Sequence, residues 1–229
     1  MRYKSILEPR QHWLDRPLQH YDDEGLQACV LRPFKVKRAL YTDNVSTALD
    51  FSFSVDHGRP AFASKLIRGG RWLLLGSERC DILLIDLDAR DILPRILIPS
   101  PFDTTPLEAY PLIAIEMDDG APYLTFNLAL AIFCRSKPTV IQVWKVTAIP
   151  DHRGRVADLK ADQLVTFAEE QPNYRINTIS LQERFLVYSV REKNITTIVD
   201  WTSVEQFPRR RVLIGFSDVC LHAIFTPHH

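Results

Sequence analysis

The chain has 229 residues, with 28 Lys or Arg against 28 Asp or Glu and no formal net charge. At 46% apolar and 24% charged it has ordinary globular composition, long enough for one or two domains. Balanced charge argues against a polyanion-binding protein, because neutralising phosphates needs clustered Lys and Arg.

The opening stretch MRYKSILEPRQHW has only Ile6 and Leu7 adjacent as apolar residues before Glu8 and Pro9, which is too short for a signal-peptide core. The longest apolar run, from Leu124 to Cys134, is interrupted by Asn127 and falls short of a membrane span. These features predict a cytoplasmic or nuclear protein. Cys29, Cys80, Cys134 and Cys220 are isolated from one another, so they read as reduced, mostly buried apolar residues rather than as metal or redox pairs. In that setting the sequons at Asn44 and Asn194 carry no weight.

The first element falls between Tyr21 and Leu40. Asp22 or Asp23 is placed to cap a helix with Glu24 in its first turn, and Leu26, Cys29 and Val30 then share one face. Pro33 should stop or kink it. Residues 1–44 are therefore expected to form a helical lead segment.

From Val45 the pattern changes to short runs rich in Ile, Val, Leu and Phe, bounded by turn residues. Gly69-Gly70 marks a turn before RWLLLG; Ser77-Glu78-Arg79-Cys80-Asp81 then leads into ILLIDL, which gives a β-hairpin. A stretch with Pro94, Pro99, Pro101, Pro106, Pro111 and Pro122 follows. Proline removes a ladder donor, so edge strands or connections are expected there. A second hairpin joins Tyr123–Phe133 to Thr139–Val146 through Ser136-Lys137-Pro138. A third joins Ile176–Val190 to Ile195–Trp201 through residues 191–194.

Aligning the second arms superposes Ile85, Trp144 and Val199, followed by Asp86, Lys145 and Asp200. A loose repeat of such strands predicts an all-β fold, a partial WD-like β-propeller of about three to four blades over residues 45–229. The repeat exceeds a typical blade, and the excess is expected in the proline-rich stretch and in residues 148–161. RRRVLIG and HAIF, near the end, read as the start of another blade. Three blades do not close a ring, which favours a fragment of a longer propeller.

Candidate chemistry is sparse. Gly215-Phe216-Ser217-Asp218-Val219 supplies half of a nucleophile elbow and reads as a turn serine beside a strand. Cys220, His222, His228 and His229 are close in sequence, but no zinc spacing is met. With eight glycines and no Gly-x-Gly-x-x-Gly or Walker pattern, no nucleotide cofactor is expected. Asp86, Asp88, Asp91, Asp118 and Asp119 would serve acid–base chemistry only if they faced each other in a cleft; Asp118-Asp119-Gly120 reads instead as a hairpin turn, and Asp86 and Asp200 as strand ends bonding nearby N–H groups. Arg209-Arg210-Arg211 is the one compact basic run and reads as a solvated loop edge. Trp72, Trp144 and Trp201 are expected on strands, packed between blades. No catalytic, cofactor-binding or metal-binding residue is assigned, and no partner-binding residue is singled out.

GGRWLLLGSERCDILLIDLD resembles the first recognisable blade of the fungal F-box proteins with degenerate WD-like repeats. PYLTFNLALAIF, TVIQVWKV and LVYSVREKNITTIVDW follow in the order seen in that family, and DDEGLQACVLRPFKVKRAL is similar to its helical segment between F-box and propeller. The resemblance covers roughly residues 22–225. It implies a non-catalytic module, without cofactor, that holds a protein partner or ligase substrate and binds neither nucleic acid nor membrane. The alternative is a propeller hydrolase with Asp86, Asp118 and Asp200 lining a channel, or a truncated product without independent function. No Leu-Pro-led F-box precedes residue 20, the lead helix is interrupted by Pro33, and the first hairpin has Glu78-Arg79-Cys80-Asp81 where the family usually has Asp-Gly. The family reading thus implies recruitment of the ligase adaptor only by a longer form that carries the F-box.

Overall fold

The computed structural model describes residue 14, residues 16–27, 29–31, 63–89, 93–102, 109–135, 137–169, 175–190 and 195–203, and the backbone of 211–217 and 220–225. The expected boundary at residues 44 and 45, Pro33, Asp91, Pro106, the sequon asparagines Asn44 and Asn194, Arg209, Arg210, Asp218, His228 and His229 lie outside the described residues.

In the lead segment the described residues form a 3-10 turn at Leu18–His20 and a short helix with helical residues at 23–27 and 29–31. Asp22 caps it as expected, its Oδ1 accepting from the Gly25 N–H at 2.8 Å. Leu18, Leu26 and Val30 are buried together, with Leu14, Tyr21 and Cys29 packed against them.

Three antiparallel meanders follow. The first sheet runs β1(Ala63–Leu66), β2(Trp72–Gly76), β3(Ile82–Asp86) and β4(Arg95–Ile98) in sequence order. The second runs β5(Ala109–Met117), β6(Thr125–Cys134), β7(Lys137–Pro150) and β8(Val156–Ala168). The third holds β9(Ile176–Gln182), β10(Phe185–Val190), β11(Ile195–Asp200), β12(Arg211–Ser217) and β13(Cys220–Phe225). Ile85, Trp144 and Val199 lie on β3, β7 and β11, the third strand of each sheet, so the aligned positions are structurally equivalent.

The sheets stack face to face in chain order. The first touches the second through β1 and β2 against β5 and through β4 against β8; the third meets the second through β9 against β5 and β6. The first strands β1, β5 and β9 gather at one edge, and β4 meets β8 at the other, the radial arrangement of propeller blades. The fold is therefore an all-β partial propeller with a short helical lead.

The middle sheet is buried on both faces, and its alternation assigns a size to each. On β6, Phe126, Leu128, Leu130 and Ile132 enter the core shared with the first sheet, where Trp72, Leu74, Ile82 and Leu84 meet them. The intervening Ala129 and Ala131 face the third sheet, where Leu186, Tyr188 and Ile176 fill the space that their small side chains leave. Large against small at facing positions is what lets two layers interdigitate without voids. At the inner edge, Gly76 lies so close to Pro111 that a Cβ on it would fall 2.4 Å from the ring.

Several expectations need correction. The long first arm of the third hairpin is two strands, broken at Glu183-Arg184 with Glu183 at φ 51°. Residues 148–161 are not a spacer: β7 reaches Pro150, β8 starts at Val156, and the repeat's extra length lies in strands of 14 and 13 residues. Pro138 lies within β7, at the irregular pairing near its start. RRRVLIG and HAIF do not begin a new blade; β12 pairs with β11 and β13 with β12, extending the third sheet. Trp201 follows β11 in a 3-10 turn and is on no strand. Pro111, in contrast, lies in edge strand β5, where a missing donor costs nothing.

Candidate functional site

Antiparallel order sends the end of β1, the start of β2, the end of β3 and the start of β4 to the same side. Contacts across the sheets bring the equivalent turns of the second and third sheets to that side as well, forming one rim. Arg68 pairs with Asp119 of the β5–β6 turn. Arg95 reaches Asp158 and donates to the Leu159 carbonyl at 2.7 Å. From the third sheet, the Glu183 N–H donates to Glu116 of β5.

The first-sheet corner is the most constrained. Arg71 donates from Nε and Nη2 to the two oxygens of Asp86 at 3.0 and 2.8 Å, and from Nη1 to the Val156 carbonyl of the next sheet at 2.8 Å. Its guanidinium lies 4.4 Å from the centre of the Trp72 ring. Asp86 Oδ1 also accepts from the Asp88 N–H, so this carboxylate closes the turn after its strand.

The lead segment docks on the rim of the second sheet. His20 Nδ1 lies 3.1 Å from the Tyr123 hydroxyl, and Asp22 pairs with Arg155 at 2.6 Å. The Gly25 N–H, with the Arg155 and Arg16 guanidiniums behind it, holds the Asp22 carboxyl below its ordinary value. The β7–β8 turn is shaped for this contact. Asp151 accepts from the Arg153 and Arg155 N–H groups at 2.8 Å each, and the Arg155 bond is the main reason its carboxyl is also held low. Gly154, at φ +70°, presents a bare backbone to His20, where a Cβ would come within 3.0 Å of Nδ1. Between this segment and the β5–β6 turn is a cleft of about 280 Å³. Leu14, Leu18, Met117 and Leu124 line it with apolar side chains, and Arg16, Asp118 and Asp119 with charged ones.

The residues singled out by sequence are dispersed. Asp86 ends β3, Asp118 turns β5 into β6, and Asp200 ends β11, each in a different sheet. Asp118 Oδ1 accepts from the Gly120 N–H, and Asp200 Oδ1 from the Thr202 N–H and hydroxyl. Of the three, the cleft is lined by Asp118 only. Trp72 and Trp144 belong to the core between the first two sheets, and Trp201 packs against the core between the second and third. Ser217, Cys220, His222 and Arg211 lie on β12 and β13, where the backbone alone is described. Cys80 and Cys134 are buried and Cys29 is half-buried, and burial pushes the Cys80 thiol up to about 12. Among the described residues no three or more His, Cys, Asp or Glu are grouped to hold a metal ion. Among the same residues no helix is long and apolar enough to cross a membrane.

Sequence reasoning missed the arginines. Arg71 and Arg184 each precede an aromatic that opens a second strand, Trp72 and Phe185, and each faces the aspartate that ends the third strand. An Arg-aromatic pair preceding Asp by about one hairpin was the available signal. The buried pair in which the Tyr188 hydroxyl donates to Glu169 left no local trace, because its members come from different sheets.

The sequence matches no protein-family model and no curated protein. Among solved structures, the WD40 domain of SCAP from fission yeast is similar over 70% of this chain and 35% of its own, at 12% identity and a TM-score of 0.43. The chain thus spans about a third of that structure. The partial-propeller assignment rests on the three stacked meanders.

Proposed function

We propose that this chain is a non-catalytic protein-interaction module of the cytoplasm or nucleus, related to the substrate-binding propellers of F-box ubiquitin-ligase receptors. The observation that carries this reading is the rim, where turns of all three sheets emerge on one side with side chains engaged in structure. Asp86, Asp118 and Asp200 each close their own turn instead of converging on a cavity. Loops held by a rigid scaffold are where binding surfaces are built. The docked lead segment adds a cleft lined by both apolar and charged side chains, suited to a protein segment that offers both kinds of contact.

The test is a titration of the purified chain with a partner found by proximity labelling and then purified. Substituting Asp118→Lys and Asp119→Lys at the rim should weaken binding at least about ten-fold, the scale of losing one central contact. Glu78→Lys, on the β2–β3 turn at the opposite side, should leave it unchanged. Equal affinity in all three, or hydrolytic turnover abolished by Asp118→Asn, overturns the reading. The related prediction is that the purified chain does not capture the ligase adaptor.

A further inference from the structure

Given the interaction role proposed above, on which this rests, we infer what the cleft between the lead segment and the β5–β6 turn takes: a short segment of a partner protein in which one acidic residue stands beside apolar ones, the acid pairing with Arg16.

Arg16 is the unsatisfied cation of that cleft. Its guanidinium lies 4.1 Å from the centre of the Tyr21 ring, and its buried Nε finds no acceptor. The Asp22 carboxylate feels its charge but is taken by the Gly25 N–H and by Arg155. A partly buried cation without an acceptor is a standing cost that an incoming carboxylate removes. Arg71 shows what a ring-stacked arginine does in this molecule when an acid stands opposite. With its guanidinium 4.4 Å from the Trp72 ring centre, it meets both oxygens of Asp86. Stacking fixes the plane of the guanidinium, and a fixed plane matches a carboxylate. Arg16 has the ring and lacks the acid. Its mount is stiff as well: Pro17 follows it, the His20 N–H donates to the Pro17 carbonyl at 2.9 Å, and the His20 ring meets Tyr123 and Gly154. A group already held in place loses little freedom when a ligand arrives.

The rest of the cleft selects among anions. Leu14, Leu18, Met117 and Leu124 line it and reward an apolar side chain, which an inorganic anion does not offer. Asp118 and Asp119 line it too. Arg68 neutralises Asp119, whereas Asp118 accepts from the Gly120 N–H at 3.2 Å and among the described residues is paired with no cation. That carboxylate repels a second anion, which disfavours a nucleic-acid strand and favours a segment with a base near its single acid. At about 280 Å³ the cleft is smaller than the roughly 300–1,000 Å³ of sites for drug-sized ligands, and it suits a few side chains.

The experiment selects random peptides displayed on phage against the purified full chain. The enriched peptide is then synthesised with a fluorophore and titrated by anisotropy, beside thermal melts that confirm folding. Enriched peptides should share one acidic residue next to apolar ones. Arg16→Gln should weaken binding at least about ten-fold, the scale of losing a central contact. Glu78→Lys, on the opposite side, should leave it unchanged. Arg16→Glu should prefer the peptide whose acid is replaced by arginine, a reversal that an unfolded variant does not produce. No enrichment, enriched peptides without an acid, equal affinity in wild type and Arg16→Gln, or a failed reversal overturns the inference. The interaction role is judged separately. A proximity-labelled partner weakened by Asp118→Lys and Asp119→Lys but indifferent to Arg16→Gln leaves that role standing and removes this partner chemistry.

Discussion

The corners at Arg71 and Arg184 are built from the same parts and hold very different amounts of structure. Both stack on an aromatic and face an aspartate that caps its own turn, yet Arg71 is bidentate and mostly covered while Arg184 is exposed with a single 3.6 Å approach. The difference lies in what stands across from them. A carbonyl on the neighbouring sheet fixes the Arg71 guanidinium, and that fixed plane then meets both carboxylate oxygens. Without that third contact the pair is a surface ion pair, whose side-chain entropy offsets most of its attraction.

The comparison breaks most completely if the wall behind the first corner is removed. Phe126→Ala, at a fully buried position between the first and second sheets, should cost about 3–5 kcal/mol in urea unfolding. Arg71→Ala should cost about 2–3 kcal/mol, since it strands the Asp86 carboxylate and the Val156 carbonyl at a packed interface. Arg184→Ala should cost about 0.5 kcal/mol or less. Equal costs for the two arginines would remove the distinction. Gly76→Ala should cost about 1–3 kcal/mol, because the new methyl meets the rigid Pro111 ring.

A smaller effect sharpens the contrast with the lead segment, which is held by a cap and an exposed pair. Asp22→Ala should cost about 1 kcal/mol, the usual worth of a helix cap. The sign with pH follows from its lowered value. Stability from the Asp22 carboxylate is complete above its ordinary 3.8 and is lost as pH falls through the lower folded value. Release of the segment below about pH 4, read by exchange protection of the Gly25 amide, should be absent in the Asp22→Ala protein. Smallest is a null response: Cys80, buried and raised to about 12, should resist thiol reagents at pH 8 until the chain unfolds.

Strand positions and the lead-helix cap were legible because they are local: apolar runs between turn residues, and Asp22 before Leu26, Cys29 and Val30. The break at Glu183-Arg184 was hidden because neither residue is a usual turn former, and Glu183 takes a positive φ without glycine. Cys80, in the first hairpin whose turn was legible, likewise takes a positive φ of 67° without glycine. Strand β8 was hidden for another reason. As an edge strand with several exposed positions, its charged residues read as loop. The rim was legible only in part: the turns carrying Asp86, Asp118 and Asp200 could be placed, but not which turns meet.

The sequence by itself determined an all-β chain of repeated hairpins with a capped helical lead, because alternation and capping act within a few residues. Only the tertiary structure decided that Arg71 grips the next sheet, that His20 rests on Gly154, and that three aspartates of similar local context never share a cavity. Those outcomes depend on which faces stack, and stacking is set by the sizes of side chains tens of residues apart: Phe126 and Leu128 on one side of β6, Ala129 and Ala131 on the other.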